Sequence, residues 1–133
     1  MRQLNFKKLS ILFLFICIAL SCQSCLVGRC KRPQIIGYIY DSITRQPIAN
    51  CKVGENLTDT NGYFQLKEQR YSQFTFIGYE APPILVNEEI YKENYEKKSI
   101  QLFNPFGGGN RKGNIHNADT IFLKRILITT DYK

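Results

Sequence analysis

Five cysteines are the first residues of this 133-residue chain equipped for chemistry, because a thiolate can act as nucleophile, metal ligand or disulfide partner. Cys22-Gln23-Ser24-Cys25 has the spacing of a redox pair. Such a pair works at the junction of a strand and a helix, whereas this one closes an apolar leader, so the required context is missing. Cys25, Cys30 and Cys51 offer three sulfurs to a zinc ion, and the fourth ligand would have to be His116, the single histidine. A catalytic zinc held by two histidines and a carboxylate is excluded by the same count. Glu88 and Glu89 are adjacent, so on an extended chain they point to opposite faces, and both are expected in solvent. Ser10 and Ser21 lie in the leader and Ser24 in the tether that follows it, with no histidine partner. The run GGGNRKG (107–113) lacks the spacing of a phosphate loop and no helical pattern follows it. No catalytic constellation, metal site or cofactor site emerges, and the expectation is a non-enzymatic protein. The alternative left open is an envelope thiol redox or metal-binding protein using Cys25, Cys30 or Cys51.

The elements that would position these groups begin after a leader. Arg2, Lys7 and Lys8 precede an apolar run over 9–20. As a helix that run would extend about 18 Å, short of the roughly 30 Å hydrocarbon core of a bilayer. Residues 1–21 therefore read as an export signal. The run ends in Ala19-Leu20-Ser21-Cys22, which resembles the lipobox of bacterial lipoproteins, where the cysteine is acylated and becomes the new N-terminus. The resemblance implies a lipid on Cys22 and a membrane partner reached through it. Gln23, rather than aspartate, after that cysteine resembles the pattern of outer-membrane lipoproteins. The tether over 22–33 has no acidic run, which tilts the expectation to the periplasmic face. Three of the 18 basic residues precede Cys22 and all 11 acidic ones follow it, so the formal +7 falls to +4 for the exported part. Arg29, Lys31 and Arg32 are expected to stay solvated, since so few charges bind headgroups weakly at physiological salt. An exported chain without a basic face gives no reason to expect nucleic acid.

About 100 residues remain, enough for one small core. QIIGYIY (34–40) reads as a strand with a close backbone approach at Gly37. A turn over 41–47 leads to a short strand over 48–53. Leu57-Thr58 and 63–67 flank a hairpin turn at Asn61-Gly62, residues that tolerate positive φ, and Asp59 can bond the turn amides. Alternation sends Phe64 and Leu66 to one face and Gln65 to the other. QFTFI (73–77) places Phe74 and Phe76 on one face, and ILV (84–86) and SIQLF (99–103) read as strands. NEEIYKENYEKK (87–98) suits a short surface helix or a solvated loop, NPFGGGNRKGNIHN (104–117) a flexible loop, and DTIFLKRILI (119–128) the last strand, with a tail over 129–133. About seven short strands between turn signals argue for an all-β sandwich.

Ile35-x-Gly37-x-Ile39-x-Asp41, Gln46-Pro47-Ile48-x-Asn50-Cys51-x-Val53, Thr58-Asp59-x-Asn61-Gly62-x-Phe64-x-Leu66 and Phe76-Ile77-Gly78-Tyr79-Glu80, in that order, resemble the carboxypeptidase regulatory-like domain. Asp119-Thr120-Ile121-Phe122-Leu123 is similar to its last strand. The resemblance implies a transthyretin-like, Greek-key β-sandwich over 34–128, of a kind found in cell-envelope lipoproteins and free of catalytic residues. Asn50 stands where that family usually has glycine, which suits a left-handed backbone, and Cys51 stands where it has a small core residue, which implies a buried, inert thiol. Only four residues separate Val53 from Thr58, so the strand there must be short. A rigid sandwich with a long polar segment suggests recognition of an envelope protein, peptide or glycan, with Tyr91, Tyr95, Phe103 and Phe106 as candidate anchors and Asp59, Asn61 and Gly62 as a structural turn.

Overall fold

A computed structural model describes residues 6–21, 25–75 and 80–126 of the chain. Among the described residues, one helix, α1 (Phe6–Ser21), is followed by regular structure that apart from a single 3-10 turn is β: β1 (Cys25–Arg32), β2 (Gln34–Asp41), β3 (Lys52–Val53), β4 (Asn56–Leu57), β5 (Tyr63–Leu66), β6 (Gln69–Thr75), β7 (Ile84–Tyr91), β8 (Lys98–Asn104) and β9 (Ile115–Leu123). The strands form a three-stranded sheet in the order β5-β2-β9, a four-stranded sheet in the order β4-β3-β7-β8 and a two-stranded ribbon of β1 and β6. The fold is the all-β sandwich that the strand pattern predicts, with nine strands rather than seven among the described residues. Every described side chain of α1 from Phe6 to Ala19 is exposed, and no described helix is long and apolar enough to cross a membrane.

Alternation builds the core. β2 sends Ile35, Ile39 and Asp41 inward, β5 sends Phe64 and Leu66, and β7 sends Ile84, Val86 and Ile90; Val53, Ile100 and Leu123 complete one buried cluster with Cys30, Ile48 and Cys51. Burying side chains of this size is worth roughly 1.5–3 kcal/mol each before conformational entropy is counted.

β9 meets β2 in parallel and would lose its phase without a bulge. Ile36 pairs with Asn117 but Tyr38 pairs with Thr120, so Ala118 and Asp119 together face Gly37. Asp119 takes φ 53°, a left-handed value that aspartate tolerates, and its amide donates to Asn117 Oδ1 at 3.0 Å. The extra residue moves the inward positions from Ala118 to Ile121 and Leu123, which keeps the apolar residues on the core. Gly37 makes room for it: a Cβ there would lie 2.9 Å from Asp119 O and 3.0 Å from the Phe64 ring.

Several segments differ from expectation. Residues 25–32 of the expected tether form β1, and Arg29 and Arg32 are 7% and 4% exposed rather than solvated. Arg32 Nη1 donates to Glu88 Oε1 at 2.5 Å and to Glu55 Oε2 at 2.9 Å, and Nη2 donates to Glu55 Oε1 and, at 2.9 Å, to Lys67 O. The same contacts take Glu88 out of solvent, leaving its side chain 19% exposed. The strand expected over 48–53 is reduced to Lys52–Val53, because a turn at Ala49 and Asn50 interrupts it and Asn50 takes φ 53°. Residues 87–91, read as helix or loop, continue β7, and a turn at Glu93 and Asn94 leads to β8. The expected flexible loop contains a 3-10 turn (Gly107–Gly109), with Gly107 and Gly108 packed on Ile84 and Pro82, and then the start of β9. Phe74 is exposed; Phe76 and the end of the expected last strand, with the tail, lie outside the described residues.

The segments flanking Asn61-Gly62 do not pair as a hairpin. β4 joins β3 in one sheet and β5 joins β2 in the other, so the turn carries the chain across the sandwich. Thr58, 3% exposed, fastens the crossing: Oγ1 donates to Ile48 O at 2.6 Å and accepts from the Cys51 amide at 2.9 Å.

Candidate functional site

Of the four residues that β2 turns away from the core, Gln34, Ile36, Tyr38 and Tyr40, two are aromatic. Tyr38 pairs in register with Tyr63 on β5, and Tyr40 pairs with Phe122 on β9. Four rings therefore share the solvent-facing side of the three-stranded sheet. Their centroids run in a chain, 5.4 Å from Tyr63 to Tyr38, 6.5 Å from Tyr38 to Tyr40 and 6.4 Å from Tyr40 to Phe122. These are the spacings of tilted and edge-to-face aromatic pairs. Tyr38, at the centre, is 42% exposed.

A cation closes one end of the row. The Arg45 guanidinium carbon lies 4.4 Å from the Phe122 centroid, a cation–π distance. The turn after β2 sets that position. Asp41 Oδ1 accepts from the amides of Ile43 at 2.8 Å and Thr44 at 2.9 Å, and the Arg45 amide donates to Asp41 O at 3.0 Å while Arg45 itself takes φ 58°. Asp41 Oδ2 accepts from Tyr95 Oη at 2.9 Å and Arg125 Nε at 2.7 Å. The Thr44 and Ile43 amides, with Tyr95 and Arg125, hold the Asp41 carboxyl well below the usual carboxylate range. Burial, and then the neighbouring carboxylate, push the Tyr95 hydroxyl up, and Asp41 raises Arg125. One buried carboxylate thus ties β2, the 42–47 turn and the segments carrying Tyr95 and Arg125 into a support for Arg45.

The expected anchors do not converge. Tyr91 and Phe103 both face outward on the four-stranded sheet, but Phe103 pairs with Leu85, six residues from Tyr91 along β7, or about 20 Å at strand rise. Phe106 is exposed beyond the end of β8, next to the Phe103 end. Tyr91 instead lies under Lys97, whose Nζ is 5.5 Å from its ring centroid. Tyr95 is half-buried with its hydroxyl committed to Asp41, so it belongs to the support of the aromatic row.

The structural turn behaves as its residue types suggest, with one change. Asp59 Oδ1 accepts from the amides of Asn61 at 2.8 Å and Tyr63 at 2.9 Å, and the Gly62 amide donates to Asp59 O at 3.0 Å. Gly62 alone takes a positive φ, 74°, so Thr60 and Asn61 are the central residues of the turn and glycine closes it. A Cβ on Gly62 would overlap Ile39 O.

Cys30 and Cys51 are free, buried thiols. Burial raises both, Cys51 to about 11, so neither supplies a thiolate near neutral pH. Cys51 Sγ donates to Tyr91 O at 3.5 Å. Cys22 and the Cys25 side chain lie outside the described residues. Among the described residues no cluster of three or more His, Cys, Asp and Glu could hold a metal ion.

Tyr38, Tyr40, Tyr63, Phe122 and Arg45 went unselected at the sequence level. The alternation in QIIGYIY already puts both β2 tyrosines opposite the isoleucines, but their neighbours depend on the parallel pairing of β2 with β9. No family model, curated protein or solved structure matches the chain.

Proposed function

We propose that this is a non-enzymatic binding module of the cell envelope, moored through a lipid on Cys22 at the periplasmic face of the outer membrane, whose aromatic row binds a glycan. The observation that carries binding is the row itself: four adjacent rings on an open sheet face with a guanidinium fixed at one end. The rings, tilted 58–68° to one another, offer faces and edges in turn to the C–H groups of a pyranose chain, and tyrosine hydroxyls and the guanidinium supply hydrogen bonds to sugar hydroxyls. A peptide strand would instead be recruited by a sheet edge, and the central rings sit on the middle strand.

The carboxypeptidase regulatory-like reading is supported by what the quoted motif residues do. Asp41 and Asp59 bond turn amides, Asn50 takes the left-handed conformation, and Cys51 is buried and protonated. Lipidation rests on the sequence over 19–22.

Calorimetric titration with cellotetraose and chitotetraose, neutral chains of β-linked pyranoses, tests the glycan reading. At least one should bind with Kd on the order of 0.1–1 mM, and Tyr38→Ser or Phe122→Ser should weaken it about tenfold, or 1.4 kcal/mol. Phe103→Ser, on the other sheet, should leave it unchanged. Absence of binding to both sugars, or equal loss in all three variants, overturns the assignment.

A further inference from the structure

The β1–β6 ribbon carries, next to its Cys25–Thr75 end, an apolar pair that the core does not use. Leu26 and Phe74 are register partners on the two strands, so their side chains share a face, and they are 63% and 71% exposed. The next pair on that face, Gly28 and Ser72, is small. We infer that the Leu26–Phe74 pair is a membrane-contact surface that seats in the interfacial layer of the bilayer to which the chain is anchored. This rests on the membrane-anchored reading above.

Chain geometry names the bilayer as the occupant. Position 22 and Leu26 are four residues apart, at most about 14 Å of extended chain. An exposed apolar helix ends at Ser21. Whether position 22 bears a lipid or the helix stays attached, the membrane attachment lies within that reach of Leu26.

The ribbon is fixed to the body at the Arg32 end. At its inner end Arg32 is gripped by Glu55, Glu88 and Lys67 O, and Cys30 joins the core. Arg70 spans ribbon and body, donating to Glu68 at 2.8 Å, Asn110 O at 3.0 Å and Gly28 O at 3.1 Å.

Charge agrees with this placement. β1 and β6 contain Arg29, Lys31, Arg32 and Arg70 and no acidic residue. Glu55 and Glu88 neutralise Arg32, Glu68 neutralises Arg70, and Arg29 is buried, so the exposed Lys31 is the cation that the ribbon offers to anionic headgroups.

The chain has no tryptophan, so Phe74→Trp creates a single reporter at a position exposed enough to accept it. The full-length protein, purified with its anchor, would be reconstituted in vesicles of phosphatidylethanolamine and phosphatidylglycerol, with and without bromine on the acyl chains. Phe103→Trp, on the outer face of the four-stranded sheet, is the control. The expected result is blue-shifted emission for Phe74→Trp with roughly twofold or greater excess quenching over the control, reduced when Leu26→Ser is added. Co-flotation with vesicles but equal quenching at both positions overturns the ribbon contact alone. Failure to co-float overturns the anchored reading and this one together.

Discussion

Replacing Arg32 with methionine should unfasten the N-terminal strand from the sandwich, and the cost can be worked from the contacts. Its side chain is 5% exposed, against 19% for Glu88 and 46% for Glu55. The Glu55 contact is wet on one side and contributes at most about 1 kcal/mol. The Glu88 contact is enclosed. Removing one member of such a pair costs about 3–5 kcal/mol because a charge is left behind, and the residual exposure of Glu88 places this case at the lower end. Methionine keeps the apolar stem of the side chain, so little packing is lost with the charge. The total is about 3–4 kcal/mol, or roughly 12–30 °C in melting midpoint for a domain of about 100 residues. Urea unfolding followed by circular dichroism would measure it. Adding Glu88→Leu to Arg32→Met removes the stranded carboxylate and should restore most of the loss, since an apolar pair of similar volume is neutral or better than a buried ion pair. A single-variant loss under about 1 kcal/mol, or a double variant that merely adds the two single losses, refutes the reasoning.

Thr58→Val keeps side-chain shape but leaves Ile48 O and the Cys51 amide unpaired, so urea midpoints should report a loss of about 2–4 kcal/mol, largely recovered by Thr58→Ser. The Asp41 carboxyl is held below its unfolded-chain value of roughly 4, so its contribution is complete above that value and is lost as acid protonates it in the folded protein. The stability gap between wild type and Asp41→Asn should thus be constant above about pH 5 and narrow below about pH 3; a gap insensitive to pH in urea titrations contradicts the ionic role. Cys30 and Cys51, buried and raised, should react with a disulfide reagent at pH 8 at least about a hundredfold more slowly in the folded protein than in urea. A fast folded-state reaction at either thiol would revive the redox alternative.

Local chemistry made some of this legible in the chain. The isoleucines of β2 alternate with tyrosines, Phe64 and Leu66 alternate with Gln65, and Asp41 and Asp59 sit where a carboxylate can bond turn amides. Each signal needs only near neighbours in sequence. β1 gives no such signal, because the acids that permit Arg32 to be buried arrive 23 and 56 residues later. The same pairing disguises β7: Glu88 occupies an inward position to meet Arg32, which breaks the apolar alternation and makes the segment resemble a solvated helix. The glycines at 107 and 108 read as slack, yet lacking side chains is what lets them lie against Ile84 and Pro82. The aromatic row was half visible on β2 and needed the sheet order to be completed.

The antiparallel lie of β1 against β6 also fixes how the molecule bears tension. β1 begins at the Cys25–Thr75 end of the ribbon and runs to Arg32, with seven paired positions on β6. A tug on the chain upstream of Cys25 therefore acts lengthwise, loading those rungs together in shear instead of peeling them singly, and the last of the strain falls on one guanidinium clamp. Any load applied from the N-terminal side would meet the strand along its length, and this wiring resists the pull.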